Sequence, residues 1–409
     1  MYDVIVIGGG ASGMMAAIRA AERGKKVLIL EKNPHLGQKL AITGGGRCNI
    51  TNAEESTQLL LAHYGGAKNF LHAAFAQFGV ADTFSFFESR GLKIKIEENK
   101  RAFPVTERAP DVVRVLEEAL KKNKVEVLCS APVSKITTEH NKILGATVQG
   151  KNFTATSYIL STGGASHPET GSTGDGFAFL KELGHTVENP TPNLVPLSIA
   201  EQWIKNLSGV ALDNVKITFF VDNQKKFSLK GKILCTHFGI SGPLILNAAR
   251  RVADLLHEGV VTAEIDVYPS LDVGALDRHI TAVFDEHKNK LFENTLPYLV
   301  PHGSARAIMP LITWILPSTK VHSIKKEERK KLAEMLKKLP LTVQGLMGFD
   351  RAVVADGGVV LKEIDNKTFR SKIIENLSVT GDLLHINRPS GGYSLQLCWT
   401  SGWVAGNSV

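Results

Sequence analysis

The chain has no uninterrupted apolar run of about 18 or more residues, so no membrane-spanning helix is predicted. It opens directly on a short apolar segment, without a basic n-region, an apolar h-region or a small-residue cleavage site. A cytoplasmic location is the expectation. Cysteine is scarce and scattered: Cys48, Cys129, Cys235 and Cys398 form no C-x-x-C pair and no ligand-like spacing. That excludes a disulfide framework and gives no metal site, leaving four reduced thiols. No aromatic interleaving accompanies the basic runs, which argues against a single-strand nucleic-acid groove. The net charge of +8 gathers in local runs, among them Lys25-Lys26, Lys325-Lys326, Arg329-Lys330-Lys331 and Lys337-Lys338. The last three lie in one amphipathic stretch, Ser323 to Leu339, and read as a solvated helix face. The expected partner is a small molecule, with neither membrane nor nucleic acid, and the oligomeric state is left open.

Residues 2 to 31 carry the strongest signal. Tyr2 to Gly8 reads as a buried strand, Ala11 to Arg23 as a small-residue helix, and Val27 to Leu30 as a second strand that stops at Glu31. Between the first two lie Gly8, Gly10 and Gly13, spaced G-x-G-x-x-G, and no second copy of that spacing occurs. Gly8 allows a tight turn, Gly10 lets backbone N–H groups approach a pyrophosphate, and Gly13 lets helix pack on strand. Ala11 and Ser12 open the helix, whose N-terminal N–H groups attract phosphate. Glu31 stands 18 residues past Gly13, where a carboxylate reaches both ribose hydroxyls. The unit predicts a bound dinucleotide.

Further along, Ala109 to Lys122 reads as a helix. Val125 to Cys129, Lys142 to Val148 and Tyr158 to Ser161 read as strands, the last entering the turn Thr162-Gly163-Gly164. Phe177 to Leu183 reads as helical. The Pro-rich stretch Asn189 to Pro192 reads as a junction. Val195 to Tyr268 alternates like an antiparallel sheet, and Asp272 to Leu339 looks helical. Val353 to Leu361 reads as a strand pair around Gly357-Gly358, Leu377 to Thr380 as a last strand, and Leu395 to Gly406 as a final helix. The expected plan is a nucleotide-binding domain from 1–190 and 346–409, with an insertion at 191–345, β-rich over 191–270 and helical over 271–345. The insertion is expected to serve as a substrate-binding cap.

One fingerprint with several distant glycine turns fits a buried FAD gripped along its length better than an exchanging NAD. The turns are Thr43-Gly44-Gly45-Gly46-Arg47-Cys48-Asn49, Thr162 to Gly164, Gly381-Asp382 and Gly391-Gly392. Lys32, Lys39 and Val133 complete the expected cofactor contacts, and NAD(P)H remains an electron donor that binds in passing.

The run Leu36 to Asn52, Arg101 to Val105, Thr170 to Gly176, Thr236 to Pro243 and Gly391 to Tyr393 resembles bacterial BaiN/YhiN-type NAD(P)/FAD-dependent oxidoreductases. The resemblance spans nearly the whole chain. It implies an α/β fold, with a glutathione-reductase-like Rossmann domain split by an insertion that is part β-barrel and part helical. It implies hydride transfer at flavin N5, with amine oxidation or reduction of an activated C=C bond as candidate reactions. A flavin-dependent tRNA-modifying enzyme and a redox sensor without turnover are the alternatives. Asp382, His385, Asn387, Arg388 and Ser394 depart from the family pattern. Arg388 either sits by the isoalloxazine, favouring an anionic reduced flavin or substrate, or points to solvent. His237 is either an acid–base group facing the flavin or the organiser of its own turn. Arg101 either binds a carboxylate or flavin carbonyl, or forms a surface salt bridge. Tyr393, which also counts among the cofactor contacts, either lines the substrate face or packs. Cys48 is expected to pack.

Overall fold

The computed structural model describes residues 1–409. The chain divides into two compact units, 1–193 with 349–409 and 194–348, each around its own apolar core.

In the first unit Val4, Ile5, Val6 and Ile7 are all buried, as are Val27 to Leu30. Continuous burial of this kind requires cover on both faces, which parallel sheets receive from their crossover helices. Five parallel strands stand side by side in the order Leu377–Val379, Ala155–Leu160, Tyr2–Ile7, Val27–Leu30 and Glu126–Leu128. The order reverses between the first strand and Ala155–Leu160, and that switch point is where open α/β sheets receive ligands. The first helix, Ala11–Glu22, packs against the last, Tyr393–Ser408. Backbone meets backbone there: a Cβ on Gly402 would lie 2.3 Å from Ser12 O, and one on Gly406 would lie 2.3 Å from Ala16 O.

Two expectations fail in this unit. The strand pair around Gly357-Gly358 is a single strand, Val354–Val359, whose antiparallel partner is Val187–Asn193. The Pro-rich junction is therefore itself a strand. It accommodates Pro190 because the register slips between Glu188 and Thr191 and because a two-stranded ribbon has free edges that need no N–H.

The second unit contains a closed six-stranded barrel. Its strands run Leu197–Ile199, Gly239–Ser241, Gln224–Thr236, Ala211–Val221, Val261–Asp266 and Leu339–Leu346. The extended pattern expected throughout Val195 to Tyr268 is broken by the helix Pro243–Glu258. Proline in its first turn and burial of Ile245, Ala248, Ala249, Val252 and Leu255 give it an apolar stripe of helical period. The Lys-rich stretch forms the helix Lys326–Leu336. Its Leu332, Ala333 and Leu336 are buried while Lys326, Lys330 and Lys331 are exposed, the solvated face expected.

Candidate functional site

The three fingerprint glycines have different reasons to be glycine. Gly8 has φ +103°, and a Cβ there would lie 2.5 Å from Ser161 O; a Cβ on Gly13 would lie 1.9 Å from Gly8 O. The fold itself demands these two. Gly10 has φ −80° and ψ −168°, ordinary extended backbone, and no atom lies within 4 Å of its Cβ position. Neither backbone strain nor a neighbouring atom demands a glycine at that point, and as the N-cap of the first helix it gains only a modest preference over alanine, whereas a ligand lying on the backbone would require it. The helix beginning at Ala11 has neither a side-chain cap nor an acid in its first turn. Its first N–H groups thus face outward without intrahelical partners, with the positive end of the helix dipole behind them.

Glu31 is 7% exposed. Its Oε2 accepts from Gly9 N at 2.6 Å and its Oε1 from Asn33 N at 2.8 Å. The carboxylate therefore braces the glycine turn and keeps about two of its four lone-pair positions for a ligand. The Glu31 carbonyl accepts from Ala131 N at 2.8 Å, which brings the chain to Val133 at the start of the strand Val133–Glu139. Lys32 is already engaged, donating to Thr173 Oγ1 and Asp175 Oδ2, each at 2.6 Å.

Across the switch point, Ser161 and Thr380 share a hydroxyl–hydroxyl bond of 2.7 Å. The turn Thr162–Gly164 lies against Ser172 and the start of the helix Asp175–Glu182: a Cβ on Gly163 would lie 2.9 Å from Ser172 Oγ, and one on Gly176 2.1 Å from Thr162 Oγ1. Gly381, with φ +63°, sits against Ser12 of the first helix. Beside it Asp382 is held between two cations. Lys39 Nζ lies 3.3 Å from Oδ2 and donates to Ser166 Oγ at 2.6 Å, while Arg388 Nη2 donates to Oδ1. Burial pushes the Asp382 carboxyl up, but Arg388 and Lys39 outweigh it and hold the group below the usual carboxylate range. Arg388 is 2% exposed, which overturns the reading that it points to solvent. A guanidinium tolerates that depth because Asp382, Ile386 O and Ser394 Oγ all accept from it.

The loop Thr43–Asn49 places Gly44, Gly45, Gly46 and Cys48 in the left-handed region, a sequence of turns that exposes backbone N–H groups. Asn49 Oδ1 and Thr162 Oγ1 are buried and have no partner, which marks both walls as made for a polar ligand. The Arg47 side chain is held elsewhere, between Glu97 and Glu107 and 4.1 Å above the Phe103 ring. Cys48 is fully buried, and burial pushes its thiol up to about 12. It packs in the core, and burial favours its neutral thiol form.

The catalytic candidates fall in both units. Arg101 donates to Glu98 O at 3.2 Å and has no carboxylate partner, so the surface salt bridge is not formed. It pairs in register with Asn52, whose amide donates to Gly391 O at 3.2 Å, so Arg101 and the turn before Tyr393 share one support. Tyr393 is 7% exposed, with His63 and Tyr64 ring centroids 4.6 and 6.0 Å away. Gly392, at φ +100°, leaves no room for a Cβ, which would lie 2.3 Å from Thr51 C. His237 belongs to the second unit, exposed between Gln224–Thr236 and Gly239–Ser241 with its ring against Phe238. It makes no hydrogen bond that would organise the turn. Ser166 and the Asp382–Arg388 pairing had no local signal in the sequence.

The family model described as HI0933-like protein Rossmann domain matches residues 2–408. The chain belongs to the HI0933-like family. Among family-wide relatives, the 3-dehydro-bile acid delta(4,6)-reductase of Clostridium scindens is 29% identical, covering 100% of this chain and 99% of its own length. The ribosomal RNA dihydrouridine synthase of Haemophilus influenzae is 28% identical, with 99% and 98% covered. Of solved structures, the 3-ketosteroid delta1-dehydrogenase of Sterolibacterium denitrificans superposes with a TM-score of 0.53 at 15% identity, over 99% of this chain and 98% of the other. That likeness places the HI0933-like chain in the same fold.

Proposed function

We propose that the chain is an FAD-dependent oxidoreductase that reduces a carbon–carbon double bond conjugated to a carbonyl in a small organic substrate. The observation that carries the cofactor is Gly10, left open beside an uncapped helix N-terminus and a buried carboxylate. When bound, FAD supplies hydride at N5. The chain holds it at four places. Gly10 to Gly13 take the pyrophosphate, and Glu31 with Val133 take the adenosine end. Asp382 and Lys39 take the ribityl stretch, and Thr43–Asn49, Thr162–Gly164 and Gly392–Tyr393 line the remainder. The names of the two full-length relatives share one chemistry: saturation of a C=C bond beside a carbonyl, in a steroid ring or in uracil. Such a reduction needs a group to polarise the carbonyl and a proton for the second carbon. Arg101, free of any carboxylate, suits the first role. Tyr393 suits the second. Substrate recognition is assigned to the second unit, NAD(P)H to transient electron supply, and the cytoplasm to the place of action.

Reduction of uracil in RNA is the second reading, favoured by the rRNA dihydrouridine synthase relative and by the positive net charge. It is the weaker one, because two cations of the Lys-rich stretch are already engaged and not free to meet phosphates: Arg329 pairs with Asp277 and Lys337 with Asp266, each at 2.7 Å. Anaerobic mixing of the reduced holoprotein with a panel of cyclic enones, and separately with uridine-containing RNA, separates the two. Fast flavin reoxidation by an enone supports the proposal. Reoxidation by RNA alone replaces it with the second reading, and reoxidation by neither overturns both.

A further inference from the structure

We infer that Arg388 raises the reduction potential of the flavin by giving the crevice one more cation than anion. The inference rests on FAD being the cofactor. Lys39, Asp382 and Arg388 form one hydrogen-bonded cluster, and neither cation has a second carboxylate partner. Two positive groups thus share one negative one, with the Arg388 side chain 1% exposed and that of Asp382 15% exposed. An uncompensated charge in such a place is unfavourable until an anion joins it.

The surroundings add to the excess. Arg388 Nε donates to Ser394 Oγ at 3.0 Å, and Ser394 is the second residue of the helix Tyr393–Ser408. That helix has neither a side-chain cap nor an acid in its first turn, so its positive end adds to the two cations. The pyrophosphate already has its own uncapped helix at Ala11–Glu22. The second positive pole, at the opposite terminus of the chain, is left for the isoalloxazine. The ring is neutral when oxidised. Uptake of two electrons and one proton, the proton at N5, leaves it with one negative charge over N1 and O2. A fixed positive pole therefore binds the reduced cofactor more tightly than the oxidised one, and the couple becomes more oxidising.

The test measures the affinity of the apoprotein for oxidised FAD, and the midpoint potential of the reconstituted protein by equilibration with a reference dye. Arg388→Met should weaken the reduced cofactor about tenfold relative to the oxidised, a fall of about 30 mV for a two-electron couple. Asp382→Asn, which removes the one anion, should move the midpoint upward. Arg388→Lys should stay near wild type. Opposite signs for the two neutralising changes are what a merely structural role does not give. Equal weakening of both oxidation states by Arg388→Met, with the midpoint unchanged, overturns the inference and returns Arg388 to the pyrophosphate or the fold. Should Arg388→Met not fold, Asp382→Asn decides, and an unchanged or lowered midpoint overturns the inference. A wild-type chain that takes up no FAD overturns the functional reading, and this inference with it.

Discussion

Replacing Gly10 with alanine separates what the fold needs from what the ligand needs. At φ −80° alanine is unstrained, and no atom lies within 4 Å of the added carbon. Losing the glycine's freedom in the unfolded chain stabilises by about 0.4–1 kcal/mol. Alanine is a poorer N-cap than glycine by roughly 0.5–1 kcal/mol. The two nearly cancel, so apoprotein stability should stay within about 1 kcal/mol of wild type. The methyl group, however, occupies the space over the helix N-terminus and lifts the phosphate off at least one N–H. A hydrogen bond to a charged group contributes about 1.5–3 kcal/mol, so FAD should bind roughly 10- to 150-fold more weakly. Gly13→Ala is the contrast, since its Cβ would lie 1.9 Å from Gly8 O and the backbone must move. Urea unfolding of the apoproteins and titration of FAD fluorescence report the two quantities separately. The reasoning fails if Gly10→Ala is as unstable as Gly13→Ala, or if it binds FAD as tightly as wild type.

Glu31→Ala should lower apoprotein stability as well as FAD affinity, because Gly9 N and Asn33 N both lose a charged acceptor, at about 1–3 kcal/mol for each buried donor left unpaired; urea midpoints would check it. Stability should also fall in mild acid. Burial, which outweighs the nearby Glu363, holds His185 below its ordinary value of 6.5. This contribution is complete above about pH 6.5 and is lost as pH falls through the lower folded value, because the unfolded chain binds the proton first. A urea midpoint that is flat from pH 8 to 7, falls below about 6.5, and falls less in His185→Gln is the expected result. Gly406→Leu should separate the first and last helices, because a Cβ there lies 2.3 Å from Ala16 O. Overpacking of this kind costs about 1–3 kcal/mol or more, which thermal unfolding would read.

Local pattern made the nucleotide-binding half legible. Strand, glycines, helix, strand and acid follow one another within 30 residues, and each has a mechanical reason that survives inspection of the backbone. The helix Pro243–Glu258 was also written in the sequence, in the spacing of Ile245, Ala248, Val252 and Leu255, but the alternation on either side masked it. What could not be read was anything joined across the chain. The partner of Val354–Val359 lies about 165 residues earlier, inside a stretch whose prolines suggest a turn. Lys39 meets Ser166 and Asp382, 127 and 343 positions away, and no spacing rule links them. Burial of Arg388 ran against the strong preference of arginine for water, and only the folded arrangement of Asp382, Ile386 and Ser394 makes it tolerable. The Glu31 carboxylate looked like a ligand contact alone, and its second task of holding Gly9 emerges only from the turn's geometry.

The most direct test is the cofactor itself. The purified chain, incubated with a mixture of FAD and FMN, freed of unbound flavin and then denatured, should release FAD close to one per chain and no FMN, because both the pyrophosphate turn and Glu31 address parts that FMN lacks. Release of FMN, or a colourless protein that retains neither flavin, would contradict the account.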